Sequence, residues 1–216
     1  MPLRNRVDPF GQIHASSARG MFIGNRGIIH DPATKTLLKK RWSTPHWIIC
    51  ACQYKDRPPR DVMGYNPRGG TKAGWTELFF LDDVTALAAG HRPCFTCRRT
   101  DAKAYAEAFG AAFGVAKARV PEIDGRLHAE RLASGKAQPR ALSQPELAGL
   151  PDGAMVAEAG SAFAVRQGTL LPWSFDGYGA PVAFDAVRDA TLLTPPTSVS
   201  VLRAGFRPAW HPSAAS

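Results

Sequence analysis

Four cysteines carry the clearest chemical signal in this sequence. They are all the cysteines in 216 residues, and they form two close pairs, Cys50-Ala51-Cys52 and Cys94-Phe95-Thr96-Cys97. Thiolates at C-x-x-C spacing in a turn converge on one ion, because the turn folds the second sulfur back onto the first. The C-x-C pair is less regular. It lies in Trp47-Ile48-Ile49-Cys50-Ala51-Cys52-Gln53-Tyr54, which reads as a buried strand. On a strand, Cys50 and Cys52 share one face but sit about 6.7 Å apart. Either the strand bends at Ala51 and Cys50, Cys52, Cys94 and Cys97 all bind one metal, or one of the first pair binds with His30, His46 or His91 as the fourth ligand. The expected metal is zinc in a structural role.

A second set of groups suits acid/base chemistry. Val120-Pro121-Glu122 opens a predicted helix that runs to about Ala133. Asp124 and His128 lie four apart on it and so share a face, an arrangement that can orient a catalytic imidazole. Glu122 on the same helix and Glu77 at a strand start complete the catalytic candidates. The plain alternative is an ordinary surface pair. A third set, His30-Asp31 with Asn25 nearby, suggests a nuclease of the HNH type. That chemistry needs a metal-binding His on a following helix, and Pro32-Ala33-Thr34-Lys35 supplies no such pattern.

The charge is strongly asymmetric. Residues 1–103 hold 17 Lys/Arg against 8 Asp/Glu, whereas residues 104–216 hold 10 of each. The whole net charge of +9 therefore sits in the half with the cysteines. A concentrated positive field attracts phosphate backbones, so DNA is the expected partner. The candidate contacts are Arg26, Arg68, Arg92, Arg98, Arg99 and the run Lys39-Lys40-Arg41, whose neighbour Trp42 can stack on a base or sugar. Trp173, Phe175 and Tyr178 can also stack, but rings at alternating strand positions are more often core.

The elements that must position these groups follow from punctuation. Gly24-Asn25-Arg26-Gly27 between two apolar runs predicts a hairpin over residues 20–30. Residues 53–75 form a long basic loop. Asp82 caps a short helix, Val84 to Ala89, which Gly90 closes and Pro93 blocks. A stronger helix, Ala102 to Phe113, carries Tyr105, Phe109 and Phe113 at four-residue spacing. Beyond a polar linker and a short helix at 144–149, short strands from Gly153 onward suggest a small antiparallel sheet or barrel, and a last helix covers Ser198 to Arg203. The fold class is α+β: a zinc-stabilised small α/β domain followed by helices and that sheet or barrel. Residues 1–133 form the basic zinc-containing region and 151–216 the mostly-β region, either as two units or as one domain. There is no apolar run long enough to span a membrane and no secretory h-region, so a cytoplasmic, monomeric protein is expected.

Residues 79–98, from Phe79-Phe80-Leu81-Asp82 through Ala88-Ala89-Gly90-His91-Arg92-Pro93-Cys94-Phe95-Thr96-Cys97-Arg98, resemble the second half of the Ada-type zinc-binding DNA repair domain. With Ile49-Cys50-Ala51-Cys52 matching its first cysteine pair, the resemblance covers about residues 47–100. It implies zinc on these cysteines and DNA contact near Arg92, Arg98 and Arg99. That family also moves a methyl group from a phosphotriester onto a first-pair cysteine. Here the first pair is two positions apart instead of four, and 41 residues separate Cys52 from Cys94. The expected function is DNA repair or modified-base processing by a glycosylase-type hydrolase. The alternatives are a non-enzymatic damage-sensing module and a metal-dependent nuclease.

Overall fold

The computed structural model describes residues 1–55, 61–66, 70–134 and 140–215. Its first half is built around a six-stranded mixed sheet. The contributing strands are β1 (Arg4–Val7), β2 (Ile13–Ala15) and β3 (Phe22–Asn25). A separate two-stranded ribbon, β4 (His30–Asp31) and β5 (Thr36–Leu37), follows before β6 (Ile48–Ala51), β7 (Leu78–Phe80), helix α1 (Asp83–Ala88) and β8 (Arg92–Pro93). The strand order is β2-β1-β7-β3-β6-β8, with β1–β7 and β6–β8 parallel and the other pairs antiparallel.

The expected hairpin over residues 20–30 does not form. β3 instead lies between β7 and β6. The Asn25 side chain accepts from Gly27 N–H and turns the chain away, and His30–Asp31 then pairs with Thr36–Leu37. The glycine-rich turn was legible, but its partner strands lie more than twenty residues downstream.

Helices α2 (Arg99–Phe113) and α3 (Val120–Ser134) follow, then a short α4 (Gln144–Ala148) opened by a capping box from Ser143 and Glu146. The second sheet contains β9 (Met155–Glu158), β10 (Ser161–Arg166), β11 (Thr169–Ser174), β12 (Gly177–Tyr178) and β13 (Thr191–Leu192) in the order β12-β11-β10-β9-β13. It is antiparallel and open, so of the two forms expected here the sheet is present and the barrel is not. The last helix, α5 (Pro196–Arg203), packs on α2 and α3.

The alternation of β3, β6 and β7 gives the large sheet two unlike faces. Ile49, Leu78 and Phe80 point into a core that also holds Leu87, Tyr105, Phe109, Ile123 and Leu127 of the helices. Val201, Leu202 and Phe206 from the far end of the chain complete it. With a period of two, the intervening residues, Ile23, Asn25, Ile48, Cys50 and Phe79, face the other way.

Asp82 joins the halves. Its Oδ1 caps α1 by accepting from Thr85 N at 2.9 Å and Thr85 Oγ1 at 2.9 Å. Its Oδ2 accepts from Tyr178 Oη at 2.8 Å and His211 N at 3.1 Å. Trp173 Nε1 donates to Thr85 Oγ1, so both rings serve as core rather than as a stacking platform. Replacing Asp82 by Ala strands several buried donors and removes the helix cap. Calorimetry should show a loss of about 3–5 kcal/mol, a Tm fall of roughly 10 °C for a chain of this size. Asp82→Asn, which keeps an acceptor, should lose less.

Candidate metal centre

The parallel pairing of β6 with β8 builds the site. Arg92 N donates to Trp47 O at 3.1 Å and Cys94 N to Ile49 O at 2.9 Å, which sets Cys94 beside Cys50. The chain then turns tightly: Arg98 N donates to Cys94 O at 3.0 Å, and α2 starts at the next residue. This returns Cys97 to the same point. The sulfurs of Cys50, Cys94 and Cys97 all lie within 4.8 Å of one another. All four cysteines are free thiols, with no disulfide among them.

Three sulfurs this close cannot all ionise unaided. Hydrogen bonding to Cys94 and Cys97, then burial, pushes the Cys50 thiol far up from its usual range. The Cys94 sulfur is pulled far down, because Cys50 and Cys97 hydrogen-bond to it. A divalent cation relieves the repulsion and lets all three become thiolate. The donor set therefore fits a soft or borderline metal ion.

Cys52 stands apart. It follows the end of β6, is exposed, and donates to Met21 O at 3.4 Å. The strand does not bend enough to bring it in, consistent with the spacing of alternate residues on extended backbone. The histidines considered as a fourth ligand are held elsewhere. His46 Nδ1 pairs with Asp124 Oδ2 at 2.7 Å. His30 is buried and bonds Thr76 Oγ1 at 2.7 Å and Gly64 O at 3.3 Å. His91 is buried between Trp47 and Phe80 and accepts from Arg26 Nε at 3.3 Å. Burial, then the charges of Arg26 and Arg131, holds His91 well below the usual imidazole range, so it is neutral.

The catalytic candidates are dispersed. Asp124 is 2% exposed and accepts from Arg92 Nε at 2.8 Å and Arg92 Nη2 at 2.7 Å. It clamps β8 to α3 and also pairs with His46. His128 does not meet it, but packs edge-on against Trp42 with ring centroids 4.6 Å apart. Glu122 is exposed in the first turn of α3. Glu77 alone among the four lies near the cysteines: it is buried, accepts from Met63 N at 2.8 Å, and lines the same cleft as the cluster.

The expected DNA contacts also divide. Arg26 is 1% exposed, lies over the Trp47 ring at 4.1 Å and donates to Gly11 O. Burial, then repulsion from Arg41 and Arg131, lowers its pKa to about 9. Arg92 is held by Asp124. Arg98 is held by Asp83 and Asp101 and covers the Phe22 ring at 3.9 Å. These three guanidiniums are structural cations, not surface ones. Lys39, Lys40, Arg41 and Arg99 are exposed, as is Trp42 at 38%. Arg68 lies outside the described residues.

The cleft beside the cluster has a volume of about 820 Å³. The period-two face of the large sheet forms its floor through Ile23, Ile48 and Phe79, with Cys50, Cys94 and Cys97 at one side. A second cleft, of about 690 Å³, is bordered by Arg41, Trp42, His128 and Arg131. Residues 53–75 were recognisable as a long connection, of which 56–60 and 67–69 lie outside the described residues. That Tyr54, Val62 and Trp75 would face the cysteines was not, because nothing local encodes it. No family model, no curated protein and no solved structure matches this chain.

Two measurements follow. Cys94→Ser and Cys97→Ser should each lower metal affinity by about 100-fold or more in competition with a chromophoric chelator. Wild-type affinity should fall as pH drops, because each bound thiolate must first lose its proton. Separately, Asp124→Asn leaves the Arg92 charge buried without its carboxylate. Denaturant unfolding should show a loss of about 3–5 kcal/mol.

Proposed function

We propose that this chain is a zinc-binding protein that binds DNA and acts in repair or modified-base processing, with glycosylase-type hydrolysis as its reaction. The observation that carries the reading is the opening of the three-cysteine cluster onto a cleft that also holds Glu77. Zinc on Cys50, Cys94 and Cys97 clamps β6 to the start of α2 and so fixes one wall of the cleft. The apolar floor suits the face of a base taken out of the stack, and Glu77 is the carboxylate placed to act as acid or base toward it. The phosphate backbone is met by Lys39, Lys40 and Arg41, with Trp42 offering a ring beside them.

A non-enzymatic binding module is the second reading. It is favoured by a specific observation: the exposed basic run borders the cleft of Arg41 and Trp42, and none of its residues lines the cleft of Glu77. Oligonucleotides carrying varied base lesions separate the two. Free base from an intact backbone, lost in Glu77→Gln, supports the hydrolase; binding with no product supports the module. Failure to bind DNA at low salt refutes both. In the binding assay the triple variant Lys39→Ala, Lys40→Ala, Arg41→Ala should reduce the slope of log K against log salt by about 2 to 3.

A further inference from the structure

We propose that the metal centre is an open one: Cys50, Cys94 and Cys97 supply three ligands, and the fourth position faces the cleft and takes an exogenous neutral nitrogen heterocycle of about purine size. This rests on the reading that the cluster holds a metal.

Three observations lead there. First, among the described residues the cluster contains three donors and no fourth carboxylate, imidazole or thiol. Cys52 is directed at Met21 O, and His30, His46 and His91 are engaged elsewhere. Structural zinc sites are closed by four protein ligands, whereas a site with three keeps a corner for an external one. Second, the three cluster cysteines line the cleft, as does Cys52 with its thiol on Met21 O, so the fourth corner is reached from a space of about 820 Å³ and not from packed core. Third, the chemistry along that space is graded. Three thiolates and a divalent cation sum to one negative charge, which disfavours an anionic fourth ligand and favours a neutral donor.

The floor beyond the metal, Ile23, Ile48 and Phe79, is apolar and flat in the manner of a sheet face. Asn25 and Glu77 stand further along it. The register places Ile23 opposite both Cys50 and Phe79, so Glu77 is two strands and one side-chain row from Cys50. Two strand spacings of about 4.8 Å and one row of about 6.7 Å combine to about 12 Å between backbone positions. A ring nitrogen on the metal and an exocyclic N–H on Glu77 span that gap with a bicyclic base. A single small ring does not.

Cobalt(II) in the intact chain tests this without any activity assay. Charge-transfer absorption counts thiolates, and the d–d bands report the fourth ligand. The probes are imidazole and adenine. We expect Cys52→Ser to bind one cobalt with unchanged charge-transfer intensity, and both probes to shift the d–d bands saturably. Glu77→Gln should weaken the adenine response about tenfold and leave that of imidazole unchanged, which corresponds to roughly 1.4 kcal/mol. Loss of about a quarter of the charge-transfer intensity in Cys52→Ser, with d–d bands unresponsive to either probe in the wild type, means that Cys52 closes the site and overturns the proposal. Equal adenine responses from wild type and Glu77→Gln overturn the ligand class. Failure of the wild type to bind cobalt or zinc refutes the metal reading itself, an outcome distinct from the others. Cys52 is exposed and outside the core, so its variant is not confounded by misfolding.

Discussion

Two backbone hydrogen bonds in parallel register, Arg92 N to Trp47 O and Cys94 N to Ile49 O, set the rest of the site. They join a strand at the middle of the first half to a two-residue strand 45 positions later. Without them the C-x-x-C knuckle would be a turn with no partner. Loop closure over that separation has an entropic cost that rises only slowly with length. What must overcome it is burial, and the surrounding residues supply it: Ile49, Leu78, Phe80 and Leu87 meet on one side of the pairing. A metal held by the cluster would act on the other side, where no helix among the described residues covers the sheet. A cation on three thiolates adds free energy where apolar burial adds little.

The arginines of the knuckle illustrate competition between two uses of charge. A guanidinium on the surface meets a phosphate; one taken inside must be paired or stacked, since an unpaired buried charge costs several kcal/mol. Arg92 and Arg98 are paired with Asp124 and Asp83, and Arg26 is stacked on Trp47. All three link the knuckle region to neighbouring elements, α3, α1 and the β6 entry. They fix where Cys94 and Cys97 sit, which makes them positioning residues. The excess of positive charge in the first half thus overstates the positive surface: part of it is internal scaffolding.

The sequence made some of this legible and left the rest hidden, for physical reasons. Asp82 as cap, Gly90 as terminator and the Tyr105–Phe109 stripe are local signals, and each element formed within a few residues of its expected place. Gly90 takes a φ of 81°, the left-handed region that its position after α1 requires. The cysteine cluster was legible because spacing encodes it, but C-x-C spacing left open whether Cys50, Cys52 or both would join it, and the structure brings in Cys50. Asp124 and His128 were placed on one helix face correctly, but i,i+4 spacing says nothing about which third element each will meet. Asp124 met Arg92, and His128 met Trp42. Charge counting fails in the same way for Arg26, because a basic residue in a turn reads as exposed until its long-range partners are known.

The two unlike faces of the large sheet give a reason for the position of the cleft. Helices α1, α2, α3 and α5 all contribute to the core on one face. The opposite face is left with Ile23, Ile48, Phe79 and the cluster. A sheet face of mixed apolar and thiol character is costly to leave in water and is not closed by any regular element among the described residues. Its partial cover comes from Tyr54 and Trp75 at the ends of a long connection and Val62 within it. That cover is irregular backbone, which packs less densely than a helix and leaves space. The space adjoins the one place where three soft donors meet. The cavity stays open beside the donor set because the second half of the chain returns to the already covered face through α5.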